Sequence, residues 1–170
     1  MLVFSSQGYK SVLFWTAVVL FWDGTSSTVE NNTVVRVLPK NSVTDVVFTF
    51  KKPGNIIRNN IFVVSSKWQV FSDNGTEVYK TANYSGQERL NNIYFSADGS
   101  QPDPCGLPLG PGEKIADPRF VDFEKRNYRL KPDSPAIDTG FNSGSATDLD
   151  GRKVPTGKGR DIGAFEFATK

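Results

Sequence analysis

One pattern, used three times, restricts what this chain can fold into: Val29-Glu-Asn-Asn-Thr-Val34, Ile57-Arg-Asn-Asn-Ile-Phe62 and Leu90-Asn-Asn-Ile-Tyr94. Each is an apolar residue, a pair of asparagines and the start of a strand-like run. The second asparagine of each pair falls at Asn32, Asn60 and Asn92, intervals of 28 and 32 residues. Near-constant intervals of that size mark a repeat in which the chain returns to the same face once per unit. Asparagine tolerates left-handed backbone and offers both a donor and an acceptor. Stacked at one corner of successive units, such side chains bond up the ladder and satisfy one another inside it. The expectation is a structural ladder of Asn32, Asn60 and Asn92. Two readings compete with it: chance pairs in unrelated loops, and glycosylation at the N-x-[ST] motifs of Asn31, Asn74 and Asn83.

The rest of the first 96 residues agrees with a strand-built unit. Runs rich in Val, Ile and Phe (12–22, 28–38, 43–50, 56–65, 67–71, 77–80 and 89–96) alternate with turn clusters, without a helical stripe. The 13 phenylalanines add to the strand preference. The run from Ser11 to Trp22 imitates the core of a signal peptide. It is shorter than the roughly 20 residues that span a bilayer, and Asp23-Gly24-Thr25 reads as a turn, not a cleavage site. We read it as buried strand, with no membrane span. A chain that opened at Met1 would then show no export signal, which suits the C-terminal piece of a longer exported protein.

From 97 to 115 the chain is Pro- and Gly-rich, an irregular excursion longer than an ordinary turn. Four punctuated blocks follow in order. They are Ala116-Asp-Pro-Arg-Phe-Val-Asp-Phe123 leading to Tyr128-Arg-Leu130, Asp133-Ser-Pro-Ala-Ile-Asp-Thr-Gly140, Asp148-Leu-Asp-Gly-Arg152, and Asp161-Ile-Gly-Ala-Phe-Glu166. In order and spacing they resemble the C-terminal closing segment of bacterial right-handed parallel β-helix proteins, the pectate-lyase-like group. The resemblance implies an all-β fold. Right-handed parallel β-helix (solenoid) coils would fill 1–96, and 116–170 would form an irregular capping segment of the same domain. β-Helices of this group use asparagine ladders, in agreement with the repeat. The capping segment is expected to cover the last coil, whose unpaired strand edges would otherwise template aggregation. The open first coil is expected to self-associate or to meet upstream coils.

The resemblance further implies an extracellular or cell-surface bacterial protein that acts on or binds polysaccharide. One form is a polysaccharide lyase performing β-elimination on uronates. The other is a non-catalytic surface or adhesin-like module that binds glycan or spaces other domains. Composition narrows the chemistry. With no histidine, the usual general base, zinc ligand and Ser-His-Asp triad are missing, as is the Gly-His-Gly element of β-helix polygalacturonases. The single cysteine, Cys105, cannot form an internal disulfide. A net charge of +2 without a basic cluster leaves no nucleic-acid footprint.

A lyase needs a base and a group that neutralises the uronate carboxylate. Arg58, Lys67 and Lys80 are the candidates, set against the plain reading of solvated surface cations. Trp68, Tyr79 and Tyr84 are candidates for stacking on sugar rings; Trp15 and Trp22 read as core. Asp148-Leu-Asp-Gly-Arg152 invites Ca2+, but Arg152 and Gly159 stand where an EF-hand loop needs oxygen ligands. A looser calcium site of Asp148, Asp150 and Asp161 remains, against carboxylates that cap turns and pair with Arg152 or Arg160.

Overall fold

The computed structural model describes residues 19–21, 26–36, 48–50, 52–65, 69–71, 86–143 and 146–168. Among them the chain is all-β, with no helix and with mostly parallel sheets. No helix of the described residues is long and apolar enough to cross a membrane. Residues 12–18, 37–38, 43–47, 67–68 and 77–80, read above as strand, lie outside the described residues, as do Trp15 and Trp22.

Strand β1 (Val19–Phe21) pairs in parallel with β4 (Phe48–Phe50). β2 (Thr28–Glu30), β5 (Ile56–Arg58) and β7 (Glu88–Leu90) form a three-stranded parallel sheet. β3 (Thr33–Arg36), β6 (Ile61–Val64), β8 (Ile93–Ser96) and β9 (Lys114–Ile115) form a parallel sheet of four. The 28- and 32-residue intervals are the registers of β2–β5–β7 and of β3–β6–β8: Val29 beside Ile57 beside Arg89, and Val34 beside Phe62 beside Tyr94. Each asparagine pair is the corner between one sheet and the other. Asn31, Asn59 and Asn91 take φ of 57°, 55° and 49°, a region that asparagine enters more readily than most side chains. A sharp turn at a fixed place then brings the next strand out in register.

The corner also explains why β6 is buried along its whole length. Its side chains alternate between two cores. Phe62 and Val64 join Val29, Val34, Ile57, Val70, Phe71, Tyr94 and Cys105 on one side. Ile61 and Val63 join Ile93, Phe120, Leu130, Ala136 and Ile162 on the other. A parallel sheet that is apolar on both faces needs cover on both, and the second cover is the closing segment. There β10 (Phe120–Asp122) and β11 (Asn127–Leu130) make an antiparallel hairpin, and the chain then winds without further strands.

The closing segment lies along the outer face of the four-stranded sheet, where the sequence suggested a cover for the last coil alone. The amide of Gly163 donates to the Asn59 carbonyl at 2.9 Å, that of Ala164 to Thr33 Oγ1 at 3.2 Å, and Lys114 Nζ to the Pro135 carbonyl at 3.0 Å. Those contacts run from β3 to β9. The driving force is the outward row Ile61–Ile93, whose full burial stabilises by about 2 kcal/mol per side chain.

Candidate functional site

The interior polar row is built as follows. Asn32 donates its backbone amide and Nδ2 to Asn60 Oδ1 at 3.1 and 3.0 Å, and Asn60 repeats both bonds to Asn92 Oδ1 at 2.9 and 3.0 Å. The second Nδ2 hydrogens turn to backbone carbonyls, from Asn60 to Val29 and Arg58 and from Asn92 to Ile57. Asn60 and Asn92 are fully buried, so these bonds are required for the sheet corner to close at all.

The row ends on a residue the sequence did not flag. Asn92 Nδ2 donates to Glu113 Oε1 at 2.8 Å, and the Tyr94 hydroxyl donates to the same oxygen at 2.6 Å. Glu113 Oε2 accepts from the Gly110 amide at 2.7 Å and faces Arg89 NH1 at 3.4 Å. Arg89 occupies the register position of Val29 and Ile57, stacks over Phe71 and donates to Cys105 Sγ and the Pro108 carbonyl. Burial opposes the guanidinium charge, but Glu113, with Tyr94 and Cys105, more than restores it and leaves the Arg89 pKa above its ordinary value. Burial, then Cys105 and Glu113, pushes the Tyr94 hydroxyl well above its usual range, and burial pushes the Cys105 thiol up. These are the features of a closed polar plug. A thiol held neutral is a poor nucleophile.

A second row was also missed. The Ser27 amide donates to Asn55 Oδ1 at 3.1 Å, and Asn55 donates its amide and Nδ2 to Gln87 Oε1 at 3.1 and 2.9 Å. It shares the intervals of 28 and 32. Three different residue types fill its three positions, so no repeat showed in the letters. Glu113 lies 21 residues beyond Asn92, off the period and inside the irregular excursion, where only structure could find it.

The first asparagine of each pair tethers the closing segment. Asn59 Nδ2 donates to the Phe141 carbonyl at 2.7 Å while its Oδ1 accepts the Phe141 amide at 2.6 Å. Asn31 Nδ2 reaches Ser143 Oγ, and Asn91 Nδ2 the Thr139 carbonyl.

The acidic candidates sit in that segment. Asp148 Oδ1 accepts the amides of Asp150 and Arg152 at 2.9 and 2.8 Å, and its Oδ2 accepts that of Glu166 at 2.9 Å. Asp161 accepts the amides of Asp138 at 2.8 Å and Phe167 at 2.5 Å. Glu166 accepts those of Asp161 and Thr156, both at 3.0 Å, and Asp138 that of Gly159 at 2.8 Å. Asp150 turns away to a two-pronged bond with Arg129, at 2.9 and 2.6 Å. Asp148 and Asp161 are thus each hydrogen-bonded to Glu166, the one through its carboxylate and the other through its backbone amide, while Asp150 holds Arg129. The last three sequence blocks are laced to one another by carboxylates that receive backbone amides. Burial raises Asp161 to about 6 despite its two amide donors, helped by the nearby Glu166 and Asp138. Among the described residues no group of three or more His, Cys, Asp or Glu side chains gathers as a metal site.

Arg58 lies on β5, its Nε 2.7 Å from Glu30 Oε2 and its guanidinium carbon 5.0 Å from the centre of the Phe141 ring. It joins two sheet strands to the closing segment. Lys67, Trp68, Tyr79, Lys80 and Tyr84 lie outside the described residues. An open cleft of about 530 Å³ runs between β8 and the hairpin, floored by Phe95, Phe120 and Phe123, with the Arg119–Asp133 ion pair on its rim. None of the described candidates, Arg58, Asp148, Asp150 and Asp161, lines it. No protein-family model, curated protein or solved structure matches the chain.

Proposed function

We propose that this chain is the C-terminal part of an extracellular bacterial protein of right-handed parallel β-helix type. In this reading it is a non-catalytic terminating module that binds polysaccharide. The observation that supports it best is the Asn32–Asn60–Asn92 row, repeated in the registers of two parallel sheets and stopped by Glu113. Successive units of a solenoid share such a row, and the end of a solenoid needs a stop. The polysaccharide part rests on the resemblance of the 116–166 blocks to the pectate-lyase-like closing segment.

The non-catalytic part rests on how the described candidates are used. Arg58 is held by Glu30 and Phe141. Asp148 and Asp161 hold backbone amides, and Asp150 holds Arg129. A proton-transfer group in a lyase has to reach substrate, and Arg58 is spent on the fold, as are the three carboxylates read as calcium ligands.

Incubation with a panel of acidic and neutral polysaccharides, with and without Ca2+, tests the proposal through two readouts: co-sedimentation, and absorbance of unsaturated uronate ends. Retention on a polysaccharide with flat absorbance is the expected result. An absorbance rise that Lys67→Ala or Lys80→Ala abolishes would establish a lyase instead. Absence of retention on every polymer would remove glycan binding.

A further inference from the structure

The cleft between β8 and the β10–β11 hairpin has a floor and a rim of different chemistry, and all its lining residues are described. The floor is aromatic. Phe120 and Phe123 lie nearly parallel, 8° apart with ring centres at 6.3 Å, and Phe95 adds a ring from β8. Tyr128, which does not line the cleft, packs edge-to-face with both hairpin rings at 5.3 and 6.0 Å. The rings are thus fixed before any ligand arrives, which lowers the cost of binding one. Phe123 stays half-buried and Val121 is 45% exposed, so water meets an apolar surface there.

The rim carries four carboxylates, Asp117, Asp122, Glu124 and Asp133, and two cations, Arg119 and Lys131. Three of the acids are occupied. Asp133 pairs with the Arg119 guanidinium, Asp122 with Lys125 Nζ at 3.1 Å, and Asp117 accepts the Arg119 amide at 2.8 Å. Among the described residues the side chains of Glu124 and Lys131 meet no partner. The rim therefore offers a free acceptor and a free donor beside an apolar floor.

A hydroxyl both donates and accepts, so a ligand rich in hydroxyls uses both groups. A hexose ring adds apolar C–H faces that bury against aromatic rings. A polyanion would bring its charges to a rim with more acids than bases, and like charges brought together cost affinity. A polyamine would satisfy Glu124 but leave Lys131 without an acceptor. We infer that this cleft binds a chain of neutral hexoses, its rings seated on the floor of Phe95, Phe120 and Phe123 and its hydroxyls bonded to Glu124 and Lys131. The volume of about 530 Å³ falls in the usual range of small-ligand sites. The inference rests on the polysaccharide reading above and adds the site and the sugar class. It places glycan binding in the closing segment and turns it away from uronates.

The test titrates the full chain, by NMR, with neutral gluco-, manno- and galacto-oligosaccharides, with oligogalacturonate and with chitosan oligomers. A neutral oligosaccharide is expected to shift the amides of Phe95, Val121, Phe123 and Glu124 saturably, with an affinity that added salt leaves unchanged. Phe123→Leu removes the ring face, Glu124→Ala the acceptor and Lys131→Ala the donor. Each is expected to weaken binding about tenfold. Glu124 and Lys131 are exposed, so their variants report on binding even where Phe123→Leu loosens the hairpin. Glu124→Lys balances the rim and is expected to improve oligogalacturonate binding about tenfold.

Tighter binding of oligogalacturonate or chitosan than of every neutral sugar at these amides would overturn the sugar class. Neutral-sugar binding that shifts other amides and ignores all three weakening variants would overturn the cleft and leave the polysaccharide reading standing. Absence of binding by every glycan would remove both.

Discussion

Asn60 is the residue whose environment is most completely specified by its neighbours. Its two Nδ2 hydrogens reach three acceptors, one of them shared between the Val29 and Arg58 carbonyls, and its Oδ1 accepts two, with no exposure to water. Asn60→Ala leaves the Asn32 donors, the Asn92 acceptor and two carbonyls to be satisfied otherwise, and is expected to destabilise by about 3 kcal/mol. Asn32→Ala, at the half-exposed start of the row, is expected to lose about 1 kcal/mol; denaturant unfolding of both variants checks the contrast. Asp161 carries the pH prediction. Its folded pKa of about 6 lies above the ordinary carboxylate value of 3.8, so the folded state keeps a proton that the unfolded chain releases. Its contribution to stability is full below pH 3.8 and is lost as pH rises through 6. The Asp161 carboxyl carbon should titrate in NMR with a midpoint near 6, and a midpoint near 3.8 would contradict the burial argument. The asparagine row was legible because one residue type recurs at one spacing. Glu113 and Arg89 were not, because their roles come from where an irregular loop places them.

Among the elements, β6 and the closing segment depend on each other. Ile162 is fully buried against the outer row and its amide is bonded to the Ala136 carbonyl at 3.0 Å. Ile162→Ala is expected to destabilise by about 3 kcal/mol. Leu149→Ala in the same segment, at a side chain 52% exposed, should stay within about 0.5 kcal/mol. A thermal or denaturant series over both variants separates a packed cover from a loosely attached tail. The sequence showed four blocks in order without showing what they hold. Asp148 and Asp161 look like calcium ligands or turn caps in the letters, and their work, with Glu166, as acceptors of amides from distant turns depends on the fold. β6 is visible as an unbroken apolar run, Ile61–Val64, but such a run does not tell which segment covers its second face.

At the scale of the molecule, the same two intervals govern the registers of β2–β5–β7 and β3–β6–β8, the interior amide rows and the corners that tether the closing segment. That coincidence is the central claim: one unit, returned to the same place, organises both strands and polar core. The repeat was legible at three positions and concealed at three more, Ser27, Asn55 and Gln87, where geometry constrains the hydrogen bonds but not the residue type. Hydrogen exchange of the asparagine side-chain amides tests this claim most directly. The account predicts that the Nδ2 protons of Asn60 and Asn92 exchange orders of magnitude more slowly than those of the exposed Asn142 and show contacts to each other across the row. Exchange of Asn60 and Asn92 at the rate of Asn142 would mean that the row is not formed, and the stacking of units built on it would fall with it.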